Sequence, residues 1–423
     1  MRKEKHYLYA ALLCGAVSLA ACSSDDDAPG TSTTPPDTAA AGGIAISVPS
    51  GGFSVARCRV LTVRPETDSS AGWALTWSVG DSILSTADSL DFISLRAGEH
   101  LLTLKAVNTD GRDTTISFAV RVSAEEKEYS PYITSVPEYM PAPGQFVNEL
   151  PEYSDGDSQT DMNRKALEAI GNNTQGMITL GSYGGYVVCG FDHTIVNVPG
   201  QYDFKVLGNA FYSNTNPNPD APAEGGSCEP GIVMVAYDRN RNGQADDDEW
   251  YELAGSEYGK ETTVKGYEIT YFRPEEGHMP VPGDPEKEPW MTDAEYIMWT
   301  DNQDNAGYVY KNMYHRQDYY PKWIESETMT FSGTLLPGNA RDESGTGNYW
   351  VLYAYPWGYA DNRQNSEDTS SFDISWAVDA QGNKVHLPGI DFVKIYTGVN
   401  QYCGWLGETS TEVMGINDLH LIK

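Results

Sequence analysis

Residues 232–253 read IVMVAYDRNRNGQADDDEWYEL, and they contain the clearest indication of the fold in this 423-residue chain. Ile232 to Tyr237 is a short apolar run, and Trp250 to Leu253 is a second short segment with aromatic side chains. Short runs of this composition, bounded by polar turns, are typical of strands. Neither run has the 3.6-residue periodicity of a helix. The stretch therefore predicts two strands joined by a polar loop, within an all-β fold.

The loop between them, residues 238–249, matches the pattern D-x-[DN]-x-[DN]-G-x5-E at every defined position. Such a loop directs alternate residues toward one point, and calcium takes about six to eight oxygen ligands at about 2.3–2.6 Å. Gly243 permits the sharp turn. The predicted ligands are the side chains of Asp238, Asn240, Asn242, Asp246 and Glu249, with the backbone carbonyl of Gln244. We expect a structural Ca2+ here, and the alternative is an acidic turn without an ion.

The rest of the sequence also favours short strands, because it contains 41 Gly, 24 Pro and 27 Tyr. One helix is predicted from Asp161 to Ile170, with Thr160 or Asp161 as its N-cap and Gly171 ending it. Further strands are predicted at residues 186–190, 203–207, 267–272, 327–331, 350–355, 372–378 and 392–396. Residues 144–423 are therefore expected to form a jelly-roll-like β-sandwich with one short helix.

The segment before this domain has a separate pattern. Residues 43–123 contain alternating apolar positions, as in Ile44 and Ile46, interrupted by turns such as Asp110-Gly111. This period-two pattern predicts an Ig-like β-sandwich, with Trp77 in its core. Residues 124–143 are charged and then proline-rich, and we interpret them as a linker.

The N-terminal residues have the features of a lipoprotein signal peptide. Residues 1–21 contain a basic start and an apolar stretch too short for a permanent membrane span, followed by Cys22. Small residues precede Cys22, and the acidic run Asp25-Asp26-Asp27 follows it. We expect cleavage before Cys22 and lipidation of its thiol, which anchors the chain to a membrane surface. Residues 22–42 have the Pro/Thr/Ala-rich composition of a flexible tether.

The charge balance excludes two classes of partner. The chain has 60 acidic and 28 basic side chains, a formal net charge of −32. Nucleic acids and anionic lipid surfaces both attract basic patches, so neither is an expected partner.

Four cysteines remain after Cys14 and Cys22 are set aside: Cys58, Cys189, Cys228 and Cys403. Their spacing matches no zinc or redox pattern. The alternatives are a Cys189–Cys228 disulfide or buried free thiols.

Aromatic residues are concentrated in three segments, residues 299–323, 353–362 and 402–405. Aromatic side chains on loops suit a large, partly polar ligand, although half or more of them are expected to fill the core. The candidate ligand-binding residues are Tyr319, Tyr320, Trp357, Tyr359, Arg363 and Trp405.

Motifs of catalysis are missing from the sequence. The seven histidines have no metal-ligand spacing, and there is no G-x-S-x-G elbow, P-loop or dinucleotide fingerprint. A pair of carboxylates of the glycosidase type remains conceivable, with Asp192, Glu229 and Asp361 as members, but nothing in the sequence selects them. Binding is therefore favoured over catalysis.

Several segments resemble known families. Residues 97–111 resemble PKD and related Ig-like domains. The C-terminal domain, at motifs such as residues 184–188, 229–233, 250–255 and 389–396, resembles a family of bacterial cell-surface proteins. The acidic run after Cys22 resembles the surface-export signal of Bacteroidetes lipoproteins.

The whole architecture is similar to surface vitamin B12 (cobamide)-binding lipoproteins of Bacteroidetes corrinoid-uptake loci. This resemblance implies a lipid-anchored protein of the outer membrane that faces the cell exterior. It also implies delivery of a cobamide to a TonB-dependent transporter with associated surface lipoproteins. No ligand residue is carried over from the resemblance. The alternative is a glycan-binding surface lipoprotein in which aromatic rings stack on sugars.

Overall fold

The computed structural model describes residues 38–41, 43–67, 72–125, 128–213 and 215–422. The predicted signal peptide, Cys22 and the tether up to residue 37 lie outside the described residues. Residues 38–41 form a strand that pairs with Ile44–Ser47, so the end of the predicted tether belongs to the fold. Within the described ranges, no helix is both long and apolar enough to cross a membrane.

The N-terminal module is a β-sandwich, as predicted. The strands of the module are β1 Thr38–Ala41, β2 Ile44–Ser47, β3 Phe53–Ala56, β4 Leu61–Val63, β5 Glu66–Thr67, β6 Trp73–Val79, β7 Ser82–Ser85, β8 Leu90–Phe92, β9 Gly98–Asn108 and β10 Asp113–Ser123. A five-stranded sheet has the order β3-β10-β9-β6-β7, and it packs against the sheet β1-β2-β5 and the pair β4-β8.

Side chains that point alternately to the two faces of each strand explain how this module forms its core. In β9, Leu102, Leu104 and Ala106 are fully buried, whereas the residues between them face outward. Trp77 is fully buried, and its indole nitrogen donates a hydrogen bond to the Ala87 carbonyl at 2.9 Å. The prediction that Trp77 lies in the core is confirmed.

The larger domain contains one α-helix among the described residues, α1 Gln159–Ile170. The strands are β11 Ser135–Met140, β12 Ile178–Thr179, β13 Tyr186–Val196, β14 Phe204–Leu207, β15 Phe211–Tyr212, β16 Gly225–Ser227, β17 Gly231–Ala236, β18 Trp250–Leu253, β19 Val264–Phe272, β20 Met291–Asp301, β21 Ala306–Asn312, β22 Thr328–Leu335, β23 Ala340–Asp342, β24 Trp350–Tyr353, β25 Ser371–Phe372, β26 Ala377–Val378, β27 Gly389–Thr397, β28 Glu412–Val413 and β29 Gly415–Asp418.

A six-stranded antiparallel sheet, β11-β13-β27-β17-β18-β26, is the centre of this domain. Because side chains alternate along each strand, its two faces fill two different cores. Val233 and Val235 pack with α1 on one face, whereas Ile232 packs on the other with the sheet β21-β20-β19-β22. The predicted all-β class, with sheets packed face to face, is confirmed.

The helix begins earlier than predicted. Ser158, and not Thr160 or Asp161, is the N-cap, and Asp161 occupies the third helical position. The Asp161 carboxylate accepts the backbone N–H of Ser158 at 3.0 Å, which completes a capping box. Gly171 ends the helix as predicted.

Three sequence-based boundaries were wrong for local reasons. Residues 135–140 of the predicted linker form β11, which pairs with β13. Residues 299–312, interpreted as loop, lie largely in β20 and β21. The predicted strand 372–378 is interrupted by a 3-10 turn, Ile374–Trp376, because the Asp373 carboxylate caps the Ser375 N–H.

The cysteines Cys58, Cys189, Cys228 and Cys403 are buried free thiols. The Cys189–Cys228 disulfide is therefore not formed, and the alternative of buried thiols is confirmed.

Candidate functional site

A cavity with a volume of about 810 Å3 lies beside the four-stranded sheet. We call it the main cavity, and it is lined by residues that follow β19, by β20 and β21, and by the segment after β21. Its walls include the acidic Glu275, Asp293 and Asp318, together with cationic and aromatic side chains: Arg273, Tyr296, Lys311, Arg316, Tyr320 and Lys322. Four basic residues around one cavity are notable in a chain with a net charge of −32.

Ring contacts hold two of these cations in place. The Arg273 guanidinium lies 4.2 Å from the centre of the Tyr320 ring, and the Lys311 ammonium lies 4.5 Å from that of Tyr296. Burial raises the pKa of Tyr296 and of Tyr320 to about 12, so both hydroxyls stay protonated. Burial lowers the pKa of Lys311.

A buried carboxylate supports the opposite wall. Asp293 is 2 % exposed, and its Oδ1 accepts the backbone N–H groups of Val281 and Glu295, each at 3.1 Å. Its Oδ2 lies 2.7 Å from the His278 ring. These bonds fix residues 278–281 against β20, so the cavity wall is ordered by the sheet.

Of the two cations Arg316 and Lys322, only Lys322 forms an ion pair with a carboxylate in the described ranges. The Lys322 ammonium lies 3.3 Å from the Asp318 carboxylate. This ion pair is exposed, so it contributes little to the stability of the fold. Arg316 is exposed and has no hydrogen bond or ion pair with any described residue. Its guanidinium is therefore available to an anionic group in the cavity.

A second cavity of about 340 Å3 adjoins the first, and Asn312 lines both. We call it the acidic cavity, because Glu229, Glu408 and Glu412 lie in its wall. Asn312 is buried, and its Oδ1 accepts the backbone N–H groups of Tyr314 and His315 at 3.0 and 2.9 Å. This side chain therefore positions the rim that the two cavities share.

Exposed aromatic rings border the acidic cavity. Tyr314 is 60 % exposed and Trp405 is 38 % exposed, and their rings lie 6.5 Å apart in an edge-to-face arrangement. Met313 and Leu406 beside them are also exposed. Together these four residues form an apolar rim, in which Tyr314, Trp405 and Leu406 line the acidic cavity and Met313 lines the main cavity.

The structure distributes the six predicted ligand residues over different places. Tyr320 lines the main cavity, and Trp405 lines the acidic cavity. Trp357 packs on Trp376, with ring centres 4.6 Å apart. The predicted set does not form one site.

Arg363 is committed to partners within the protein. Its guanidinium lies 3.0 Å from Glu224 and 3.4 Å from Glu367, and its Nε donates to the Tyr355 carbonyl at 2.9 Å. Its positive charge is therefore already balanced.

Tyr319 and Tyr359 were wrongly placed on a ligand surface, because both rings are buried in the core. The Tyr319 hydroxyl accepts the Asn312 N–H at 3.3 Å, and the Tyr359 hydroxyl accepts the Glu257 N–H at 2.9 Å. A proline or glycine neighbour was a poor guide here, since the hydroxyl of a buried tyrosine finds backbone partners.

The cations of the main cavity were missed by sequence reasoning. Arg273 is distant in sequence from the others, and only the fold brings it to Lys311. The sequence did contain a signal, because residues 311–322 contain three basic side chains in a strongly acidic chain.

The structure also tests which carboxylates come together. Glu229 and Asp361 meet with Glu412, each offering an oxygen within 4.8 Å of the other two. Asp192 instead contacts the His193 ring at 3.0 Å and the Ser130 N–H at 3.3 Å. Sequence reasoning named two members of this cluster and missed Glu412.

The acidic loop, residues 238–249, is tightly folded. Asp238 accepts the N–H groups of Asn242 and Gly243 at 3.0 and 2.8 Å, and Arg241 and Gly243 both have positive φ. Buried Glu249 reaches back to accept the Arg239 N–H at 2.8 Å. The loop thus closes on itself.

Hydrogen bonds connect three of the predicted calcium ligands. Asp246 accepts the side-chain amides of Asn240 and Asn242 at 2.6 and 2.9 Å. The donor set consists of hard oxygens, which fits the chemistry of calcium. The loop also contacts the N-terminal module, since Arg241 donates to the Val60 carbonyl and to Thr62 Oγ1 at 3.3 and 3.2 Å.

No protein-family model matches the chain, and no curated protein matches it. Among solved structures, it is similar to fibronectin(III)-like modules of Clostridium thermocellum CbhA, with 12% identity over 63% of this chain and 89% of that chain, and a TM-score of 0.18. A SusE-like protein is 6% identical over 86% of this chain and 94% of that chain, with a TM-score of 0.23.

A third similar structure is SGBP-B of a Bacteroides ovatus mixed-linkage glucan utilization locus, in complex with a heptasaccharide. It is 10% identical over 81% of this chain and 94% of that chain, with a TM-score of 0.17. At these values the likenesses carry no argument about function.

Proposed function

We propose that the chain is a surface lipoprotein that captures a large ligand with an anionic group in the main cavity. The observation that carries this proposal is the group of four cationic side chains around a cavity of about 810 Å3 in a strongly acidic protein. Charge-assisted hydrogen bonds from Arg and Lys are the usual way to hold phosphate or carboxylate.

A cobamide is the ligand class we propose first. It carries a phosphodiester for the cations, a broad macrocycle for Tyr296, Tyr320 and the apolar rim, and peripheral amides for polar side chains. The cavity volume lies in the upper part of the range typical of small-molecule sites. In this proposal Cys22 carries the lipid, and the ligand passes to a TonB-dependent transporter with associated surface lipoproteins.

A glycan is the second candidate, and the rim favours it. Tyr314 and Trp405 are exposed flat rings, which suit stacking on sugar faces. Neutral sugars carry no anionic group that would pair with the cations of the main cavity. An acidic glycan could contact both these cations and the apolar rim, so it fits the two features better. The cluster of Glu229, Asp361 and Glu412 does not by itself indicate hydrolysis, and capture is favoured over turnover.

Calorimetry with the purified mature chain tests the proposal. Cyanocobalamin, a neutral oligosaccharide and a uronic-acid oligosaccharide would each be titrated at micromolar to millimolar concentration. We expect micromolar or tighter binding of cyanocobalamin. If only the acidic oligosaccharide binds, the ligand is a glycan and not a cobamide. If none of the three compounds binds, the proposal is contradicted.

We also propose a structural calcium ion in the acidic loop, held by Asp238, Asn240, Asn242, Asp246, Glu249 and the Gln244 carbonyl. The complete match of residues 238–249 to the ligand pattern supports it, and the ion would stiffen the loop that contacts the N-terminal module. Extracellular calcium is abundant enough for a weak site.

A further inference from the structure

Carboxylates from distant parts of the chain converge at the base of the acidic cavity. Glu229 precedes β17, Asp361 lies in the loop after β24, and Glu412 begins β28. One oxygen from each lies within 4.8 Å of the other two. We propose that this cluster binds a Ca2+ ion, at a site separate from the acidic loop and independent of the function proposed above.

Hydrogen bonds hold the cluster in place. Asp361 Oδ1 accepts the N–H groups of Asn209 and Ala210 at 2.7 and 2.8 Å, and Asp361 Oδ2 accepts the Glu412 N–H at 3.0 Å. Glu412 Oε1 accepts the Thr179 hydroxyl at 3.2 Å. The oxygens are thus positioned by the backbone before any ion binds, which is the preorganisation that a metal site requires.

A fourth carboxylate lacks a partner that would explain its burial. Glu408 is 6 % exposed and lines the same cavity as Glu229 and Glu412. Its Oε1 accepts the Gln145 N–H at 2.5 Å, but its Oε2 has no hydrogen-bond partner. A buried carboxylate oxygen left unsatisfied is costly, and a cation in the cavity beside it removes that cost.

No protein cation neutralises these charges. Across the described ranges, none of the four carboxylates forms an ion pair. The cluster therefore needs either protons or a bound cation to stay buried.

The donors favour calcium over other divalent ions. All are hard oxygens, which disfavours zinc and copper. Calcium accepts oxygens in a flexible arrangement, whereas Mg2+ requires a near-ideal octahedron and usually keeps several waters, so three converging carboxylates suit calcium better. Because the cluster is open to the acidic cavity, waters or ligand oxygens can complete the coordination shell.

Calcium binding by the variant Asp238→Asn/Glu249→Gln, which removes ligands of the acidic loop, tests the inference. Calorimetry with CaCl2 alone is expected to show one remaining Ca2+ site per chain. In a parallel titration with MgCl2, we expect Mg2+ to bind this site at least tenfold more weakly than Ca2+. Adding Glu412→Gln should abolish the site, whereas the charge-matched Glu261→Gln, at an exposed position, should leave it intact.

Two results would overturn the inference. One is that the acidic-loop variant binds no Ca2+ at millimolar concentration. Protons, and not a metal ion, would then neutralise the carboxylates of the cluster. The other is retention of the site after Glu412→Gln. If either variant does not fold, anomalous scattering from wild-type crystals grown in CaCl2 decides: a peak between Glu229, Asp361 and Glu412 supports the site, and its absence rejects it.

Discussion

At the residue scale, Ser158 shows how one side chain fixes an element. Its hydroxyl caps the helix while Asp161 returns a hydrogen bond to its backbone. We expect Ser158→Ala to lower the free energy of unfolding by about 1 kcal/mol, because the backbone N–H of Asp161 loses its hydrogen bond to the Ser158 hydroxyl. Urea denaturation measures this, and Ser158→Asp should restore most of the loss. An unchanged stability for Ser158→Ala would contradict the role of the cap.

His315 gives a pH-dependent prediction. Burial lowers its pKa below the usual 6.5, so the unfolded chain binds the proton more readily than the folded one. The neutral ring therefore contributes stability above about pH 6.5, and this contribution is lost as the pH falls through the lowered pKa. We expect the wild type to lose thermal stability relative to His315→Gln between pH 7.5 and 5.5. Exposed His386→Gln is the control, and equal slopes for both variants would reject the prediction.

At the element scale, the acidic loop joins β17 to β18, and its calcium ion is a testable proposal. Binding at one hundred times the dissociation constant stabilises the folded state by about 2.7 kcal/mol. We expect EDTA to lower the thermal midpoint of the wild type more than that of Asp238→Asn/Glu249→Gln. Asp247→Asn/Asp248→Asn removes the same charge at positions that the ligand pattern does not use. An equal EDTA effect in the wild type and the ligand variant would indicate an empty loop.

The same loop is one contact between the two folded parts. Arg241 donates to Val60 and Thr62, whereas Arg239 contacts Tyr251 within its own domain. We expect Arg241→Ala to increase proteolytic cleavage in residues 124–134 by about twofold to tenfold, the range for losing one or two exposed hydrogen bonds. Arg239→Ala is the matched control. Equal cleavage of both variants would show that the loop does not hold the module.

At the scale of the whole molecule, the sequence predicted the all-β class and many of the strands. The strand at Trp250–Leu253 was predicted to its ends, since its aromatic residues directly follow a polar loop. The strands β20 and β21 were missed because tyrosines and polar residues obscure their alternation. β11 was missed because a proline inside it suggests a linker, although Pro137 is tolerated at the edge of the sheet.

The site was less predictable than the fold, for a physical reason. Local patterns identified the acidic loop, whose ligands are adjacent in sequence. The main cavity and the carboxylate cluster are assembled from residues far apart in the chain, such as Arg273 with Lys311 and Glu229 with Glu412. Their proximity is a property of strand order and register, which composition does not contain.

The central claim is that the cations of the main cavity hold the ligand. Titration of cyanocobalamin into Lys311→Ala/Arg316→Ala and into the control Lys105→Ala/Arg121→Ala, which removes the same charge from the N-terminal module, tests it most directly. We predict at least a tenfold loss of affinity for the first variant and wild-type affinity for the control, because charge-assisted hydrogen bonds contribute about 1.5–3 kcal/mol each. Equal affinity for both variants would contradict the account.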